Sequence, residues 1–523
     1  LWIYAADNLQ VEERVAGLLL LLGMAWSGRA AAPELWIYAA DNLQVEERVA
    51  GLERLLERGR AAGYSRLLLS DSKLSRLGDV PEFYFRNVER LLRTARSNEV
   101  EVVPAVFPVG YSNDLLWHDP DLAEGPPVRD ARFLVASGMA RHVPEPVGLR
   151  GGDMADLSQW SWKDATVVSE GGAAVVRDPR GGNARLVQSV GLVPWRQYVV
   201  SVRVRTRGFR GKPEVKVLAG EPARALNFDD LGVEPTQEWR VHHAVFNSLG
   251  FDRAGLYLGA WGAESGELWW DDVEVREVAL VNLVRRGGAP LRVRTEEGRE
   301  LREEVDFEPV RDPRMGRVKW PGDYDVYHEP PGIRMRGAWA DGTVLRVSYQ
   351  HVASIYAGQV MMDLAEPRSD ELLRDQARRV HGLFGARGYM MSHDEVRVLG
   401  WSEAFRRTGL TPGGLLARNV RFCRGVLREL APEAAVYVWS DMFDPNHNAV
   451  AGPYYLVNGP LTGSWEGLDA GVVVVNWNHG RREESLRFFA GRGHRQVIAA
   501  YYDNPLQELD DWVGSARGVE GVE

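Results

Sequence analysis

Asp394 and Glu395 stand side by side at the end of Gly388-Tyr-Met-Met-Ser-His-Asp-Glu395, where an apolar run stops abruptly in a histidine and two carboxylic acids. Adjacent carboxylates repel, so their surroundings can drive their pKa values apart and leave one protonated beside one ionised. Cleavage of a glycosidic bond requires that division: a proton for the departing oxygen and negative charge near the sugar carbon it leaves. Strict strand alternation would send the two side chains to opposite faces, although strand ends often break it. The plain alternative is a surface turn with solvated charges.

Other residues able to do chemistry gather at the ends of other strand-like runs. Asp41 follows Leu35-Trp-Ile-Tyr-Ala-Ala40, and Asp71 ends Ser65-Arg-Leu-Leu-Leu-Ser-Asp71. Tyr111, Trp117 and His118 follow Val100–Phe107, Tyr349 ends Gly342–Gln350, and Ala435–Asp441 carries Tyr437 and Trp439. Asn476 and Trp477 end Gly471–Asn478, and Tyr501 ends the last run, Arg495–Asp503. Carboxylates, amides and aromatics in this mixture compose a sugar subsite. The catalytic candidates are Glu395 as general acid, Asp394 as an orienting or stabilising carboxylate, and Asp441. In a retaining or inverting scheme Asp441 or Asp444 is the second carboxylate. The substrate-contact candidates are His393, Trp439, Trp477, Tyr349, Tyr437, Asp41, Trp117, His118, Asn476 and Tyr501. Some of these positions have purely structural readings: Asp444-Pro445-Asn446 suits a turn, Asp71 a cap for a helix near Ser72, and Trp401 a cover for the end of the fold.

To share one cleft, these residues need a scaffold that aims strand ends at a common point. Strand-like and helix-like runs alternate from residue 35. The helices are expected over Val45–Ala62, Pro81–Asn98, Ser369–Phe384 (opened by Ser369 and Asp370), Leu415–Leu430 and Arg482–Ala490. Three strands before residue 148 and five after 341, including Gly342–Gln350, predict a (β/α)8 TIM barrel in two parts, 35–148 and 341–523. Between them, 149–278 loses helical periodicity and reads as an antiparallel β-sandwich of jelly-roll type. Residues 279–340 read as an extension at the barrel mouth.

The ending Gly266-Glu-Leu-Trp-Trp-Asp-Asp-Val-Glu-Val275 resembles the last strand of jelly-roll carbohydrate-binding modules, which implies sugar binding and admits a structural calcium near Asp271 and Asp272. Trp269 and Trp270 then point to opposite faces, one in the core and the other partly exposed or covered by a loop. The barrel with its Asp394-Glu395 pair resembles the substrate-assisted hexosaminidases of glycoside hydrolase families 20 and 123. That resemblance implies that Glu395 is the acid and that Asp394 orients the substrate's own 2-acetamido group, with Tyr437 or Tyr454 and the walls Trp439 and Trp477 around it. Met390-Met-Ser-His-Asp-Glu395 stands where family 20 carries His-x-Gly-Gly-Asp-Glu. The strand count also places the pair on the fifth strand, one later than in family 20.

Composition narrows the classes. A chain of 523 residues is long enough for two or three domains, and a net charge of −10 gives no basic excess for nucleic acid. Eighteen tryptophans suit carbohydrate stacking. A single cysteine, Cys423, leaves no disulfide, and scattered histidines show no His-Glu-x-x-His spacing, so no metal is expected. A metal hydrolase built on His393, Asp394 and His447 and a non-catalytic glycan-binding protein are the rival classes. No Gly-rich phosphate loop follows a strand, so no nucleotide cofactor is expected. Residues 1–18 repeat as 35–52 without a difference, and Leu18–Trp26 followed by small residues reads as a secretory signal within 15–32 whose start was replaced by the copy. Residues 1–34 are therefore expected to stand apart from the catalytic fold, and the protein to be secreted or periplasmic, with a carbohydrate substrate and no membrane attachment after signal removal.

Overall fold

The structure, a computed structural model, describes residues 2–4, 34–356, 358–500, 507–519 and 521–522. Its site-bearing element is a parallel sheet. Seven strands run Leu35–Ala40, Tyr64–Ser70, Glu101–Val106, Gly388–Met391, Ala435–Trp439, Val472–Asn476 and Gln496–Ile498, each hydrogen-bonded to the next in that order. Helices Glu46–Ala61, Glu82–Ser97, Pro367–Phe384, Pro412–Leu430 and Arg482–Gly491 alternate with them. Alternate residues on one face of this sheet pack together: Trp36, Leu68, Val103, Met390, Tyr437, Val473, Val475, Val497 and Ala499, with Tyr38, Trp439 and Trp477 against them. Large side chains from every strand filling one inner face are what curls such a sheet around a packed interior.

The eight-stranded barrel is not shown. Among the described residues no pairing joins Gln496–Ile498 back to Leu35–Ala40. The expected fourth barrel strand, Gly342–Gln350, is corrected: Val344–His351 lies in a separate antiparallel sheet with Pro127–Ala136, Met139–His142, Leu283–Val284, Arg292–Thr295, Glu300–Leu301 and Ile333–Arg334. Leu345, Val347 and Tyr349 alternate into a core with Val128 and Phe133, a one-sided pattern that suits an antiparallel strand. The strand beside Glu101–Val106 is instead Gly388–Met391, through Met390 opposite Ala105 and Met391 opposite Val106. The carboxylate pair thus follows the parallel strand Gly388–Met391, next to Glu101–Val106.

The ends of two elements also differ from expectation. Trp2–Tyr4 pairs in parallel with Trp36–Tyr38, so this part of the copied segment joins the sheet instead of standing apart from it. A copy of a strand carries the strand's own β-forming residues, so it can pair at the same edge. Helix Pro367–Phe384 opens at Pro367, where a missing N–H costs nothing, and Ser369 lies inside its first turn with Oγ donating to the Asp363 carbonyl at 2.6 Å. Gly385 closes it in the left-handed conformation.

The sandwich is two five-stranded antiparallel sheets, spanning Trp162–Lys163 to Ser265–Val278. Trp270 is in the intersheet core. Trp269, on the other face, is also buried, covered by the Arg205 guanidinium 4.0 Å from its ring and flanked by Ala173 and Val175. At the position that would suit calcium, Arg203 donates to Asp272 at 2.7 Å and lies 3.7 Å from Asp271, so one guanidinium offsets part of the pair's charge. Among the described residues no helix is long and apolar enough to cross a membrane.

Candidate active site

A cavity of about 430 Å³ opens at the C-terminal ends of the parallel strands. Its walls include Tyr38, Asp71, Tyr111, Asp394, Glu395, Trp439 and Trp477. Asp394 and Glu395 share it because the strand stops at Met391 and the backbone then leaves the pleat: His393 has φ +43° and Glu395 φ +45°. Left-handed backbone at non-glycine residues is strained, and persists where the surroundings over-determine it. Here Asp394 N–H donates to the Val109 carbonyl at 2.9 Å, and Gln359 Nε2 donates to the Glu395 carbonyl at 2.9 Å. Gly110, φ +111°, lies so close that a Cβ would sit 1.7 Å from the Asp394 carbonyl oxygen. Only glycine fits there.

The two carboxyls have opposite neighbours. Glu395 is ion-paired with Arg397 at 2.6 Å and accepts a hydrogen bond from the Tyr111 hydroxyl. The Arg397 side chain is only 5% exposed, against 25% for Glu395, so the positive end of the pair is hidden and the negative end faces the cavity. Among the described residues Asp394 makes no salt bridge, and Arg397 offsets its charge only in part. Burial first, then the charges of Asp441 and Glu395, push its carboxyl well above the ordinary range, and it hydrogen-bonds Asp441. Acidic groups crowded together in this way disfavour simultaneous ionisation. Asp441 lies wholly buried behind them, raised to about 7 by burial, although Glu395 N–H (2.9 Å) and Asn448 Nδ2 (3.0 Å) both donate to its Oδ2.

Trp439 and Trp477 wall the cavity; Tyr38 meets Trp439 edge-on at 5.9 Å, and His447 meets Trp477 at 4.5 Å. Asp71 caps the turn after its strand, accepting from Lys73 N–H, and also binds Leu43 N–H and the Tyr84 hydroxyl.

Several expected contacts lie elsewhere. His393 is buried on the far side, its Nε2 2.9 Å from Asn419 Oδ1, and burial lowers it to about 4, which keeps it neutral. It therefore does not converge with Asp394 and His447, and among the described residues no three His, Cys, Asp or Glu side chains form a metal-binding group. Tyr349 is buried in the antiparallel sheet, its hydroxyl donating to Gln197 and accepting from Leu280 N–H. Tyr437 shares the inner face of its strand with Trp439 but one layer lower, against Trp36 at 4.8 Å, its hydroxyl bound by Arg66. Asp41 turns to its own neighbour Asn42 N–H and to Arg48. Trp117 lies under Arg76 at 4.0 Å, and His118 contacts the Ser75 carbonyl on an adjoining groove. Asn476 is buried beside Ser440 and Gln496. Asp444 accepts from Asn446 N–H, the turn its sequence suggests, and is buried. Trp401 is buried, its indole donating to the Leu456 carbonyl. Tyr501 lies outside the described residues. Neither Asp441 nor Asp444 is a cavity wall.

Sequence reading missed Tyr38, Gln359 and Asn448. Only Tyr38 left a signal: it shares strand parity with Trp36, an inward residue.

No protein-family model matches the sequence, and no curated protein matches it. Among solved structures the chain is similar to a CBM4 structure, at 16% identity over 22% of this chain and 76% of that chain, TM-score 0.20. It is also similar to an inactive mutant of the GH20 exo-β-N-acetylglucosaminidase from Vibrio harveyi, at 19% identity over 27% of this chain and 19% of that one, TM-score 0.21. A rhamnosidase from Novosphingobium sp. PP1Y is similar over 96% of this chain and 56% of its own, at 12% identity and TM-score 0.33.

Proposed function

We propose that this protein is a glycoside hydrolase whose reacting groups are Asp394 and Glu395. One observation carries the reading: two carboxyls share a cavity walled by two tryptophans, one ion-paired with Arg397 and the other crowded by Asp441. Trp439 and Trp477 offer flat apolar faces to a sugar ring. Asp394, buried and crowded by Asp441 and Glu395, is the proton donor of this reading. Glu395 is ion-paired with Arg397 and faces the cavity. In this reading Asp394 protonates the departing glycosidic oxygen as its bond to the anomeric carbon breaks, and the Glu395 carboxylate stabilises the positive charge left on the sugar. Water then supplies the hydroxyl that replaces the leaving group, and its other proton returns to the Asp394 carboxylate.

The reverse assignment, Glu395 as acid and Asp394 orienting a 2-acetamido group, has its own support. Glu395 is the group that the Tyr111 hydroxyl holds toward the cavity. Leaving-group dependence separates the two. Aryl glycosides with acidic phenols need no protonation, so the variant lacking the acid keeps turnover on them and loses it on alkyl glycosides. Asp394→Asn and Glu395→Gln, assayed on both classes with and without a 2-acetamido substituent, identify the donor. If both variants retain wild-type turnover, or if the wild type binds sugars and hydrolyses none, the hydrolase reading fails and a glycan-binding protein replaces it. Export belongs to the same proposal, tested by N-terminal sequencing of protein recovered from outside the cytoplasm.

A further inference from the structure

Arg397 holds Glu395, and the sandwich holds the two rings that flank Arg397. The guanidinium lies 4.7 Å from the Tyr356 ring and 5.3 Å from the Tyr455 ring, and it donates to Gln359 Oε1 at 2.5 Å. Gln359 in turn clamps the Gly110 and Glu395 carbonyls. Tyr356 and Tyr455 have φ +51° and +38°, an unusual backbone for bulky aromatics, so something must keep both turns in place.

The contacts that do so come from one sandwich edge strand, Arg224–Asp230. Arg224 donates through Nε to the Tyr455 carbonyl at 2.5 Å and through Nη2 to the Val457 carbonyl at 2.7 Å. Tyr356 N–H donates to the Phe228 carbonyl at 3.0 Å, and the Phe228 and Tyr356 rings stand 5.3 Å apart. Charge-assisted bonds to backbone carbonyls in a half-buried site are strong and directional. Each strained tyrosine is thus bonded to the same sandwich strand, at positions four residues apart.

We infer that the sandwich is a working part of the catalytic site, with Arg224 and Phe228 as positioning residues that fix the Tyr356–Arg397–Tyr455 stack and, through it, the Glu395 carboxylate. The inference rests on the hydrolase reading. A module that only tethers the enzyme to a glycan would need neither contact.

The test compares Arg224→Ala, Phe228→Leu, Glu395→Gln and Tyr349→Phe in the full chain on an alkyl glycoside the wild type cleaves, where either assignment of the two carboxyls requires Glu395. Tyr349→Phe removes a buried hydroxyl between the sandwich and the antiparallel sheet, away from the cavity, and serves as the purely structural control. The expected result is that Arg224→Ala lowers kcat about tenfold or more with KM within about twofold, and displaces the acidic limb of the pH–rate profile. Phe228→Leu moves both in the same direction by less, and provides the reading if Arg224→Ala does not fold. Tyr349→Phe lowers Tm and leaves the pH profile alone. If Arg224→Ala and Phe228→Leu change only Tm while Glu395→Gln abolishes turnover, the positioning role is overturned and the hydrolase reading stands. If Glu395→Gln keeps wild-type turnover, the hydrolase reading itself has failed.

Discussion

The Glu395–Arg397 pair makes catalytic and structural effects separable. Glu395→Gln is expected to lower kcat by roughly 10²–10³, the usual scale for removing one group that stabilises charge in the transition state. It also leaves the hidden Arg397 cation without its anion. That costs about 1–3 kcal/mol, less than for a fully buried pair because a quarter of Glu395 is exposed. Calorimetry should show a lower Tm, and formate, an anion of carboxylate shape, should raise the Tm of Glu395→Ala while leaving the wild type unmoved. Asp441 gives a pH signature of opposite kind. Its carboxyl is raised from 3.8 to about 7 on folding, so the native state holds a proton the unfolded chain has lost. Its contribution is complete below pH 3.8 and is lost as pH rises toward 7. Asp441→Asn can still accept Glu395 N–H and does not titrate; its Tm relative to wild type should therefore climb between about pH 4 and pH 8. A flat difference across that range would contradict the raised Asp441 carboxyl. At this scale the carboxylate pair and the two tryptophans were legible, since adjacent acids and inward aromatics at strand ends are local patterns. The burial of His393 was not: its partner Asn419 comes from the helix Pro412–Leu430, and no spacing rule connects the two.

Among the elements, the loops after the third and fourth parallel strands are locked to each other at Gly110. Gly110→Ala must shift the Asp394 carbonyl and impose a left-handed backbone on alanine, each costing about 1–3 kcal/mol. The expected outcome is a kcat loss comparable to that of Asp394→Asn; an active, fully stable Gly110→Ala protein would mean the two loops move independently. Trp439→Ala should raise KM about tenfold, the worth of one aromatic platform, with kcat less affected. Helices were legible to within a turn because their apolar spacing is strong. Val344–His351 was misassigned because a strand's pattern of alternation states its pleat and not its partner: only pairing with Pro127–Ala136 reveals that it is antiparallel. Tyr437 and Trp439 show the same limit, since parity places both inside but not at which depth.

In the whole molecule, sandwich, antiparallel sheet and parallel sheet are joined by buried contacts. Asn247 bonds His351 at 3.1 Å, Gln197 bonds Tyr349 at 3.1 Å, and Trp195 meets Trp401 at 6.0 Å. Separate melting would strand these groups without partners, so near-UV dichroism and tryptophan fluorescence should report one coincident unfolding transition. The division into a repeated α/β pattern and an interposed β region could be read from changing periodicity. The edge on which the sandwich docks could not, because Arg224 meets backbone carbonyls, which every sequence possesses.

Strand Glu101–Val106, already paired with Tyr64–Ser70, finds its second neighbour only when Gly388–Met391 arrives, after the whole sandwich and antiparallel sheet have been made. During synthesis the first three strands emerge with an unsatisfied edge and wait. An unstructured intervening chain would make that closure entropically expensive, whereas a sandwich already folded brings the two ends near each other. Refolding should accordingly be slow and ordered, with signals from Trp269 and Trp270 returning before those from Trp439, and destabilising the sandwich core should retard recovery of the cleft even where the finished protein is scarcely weakened.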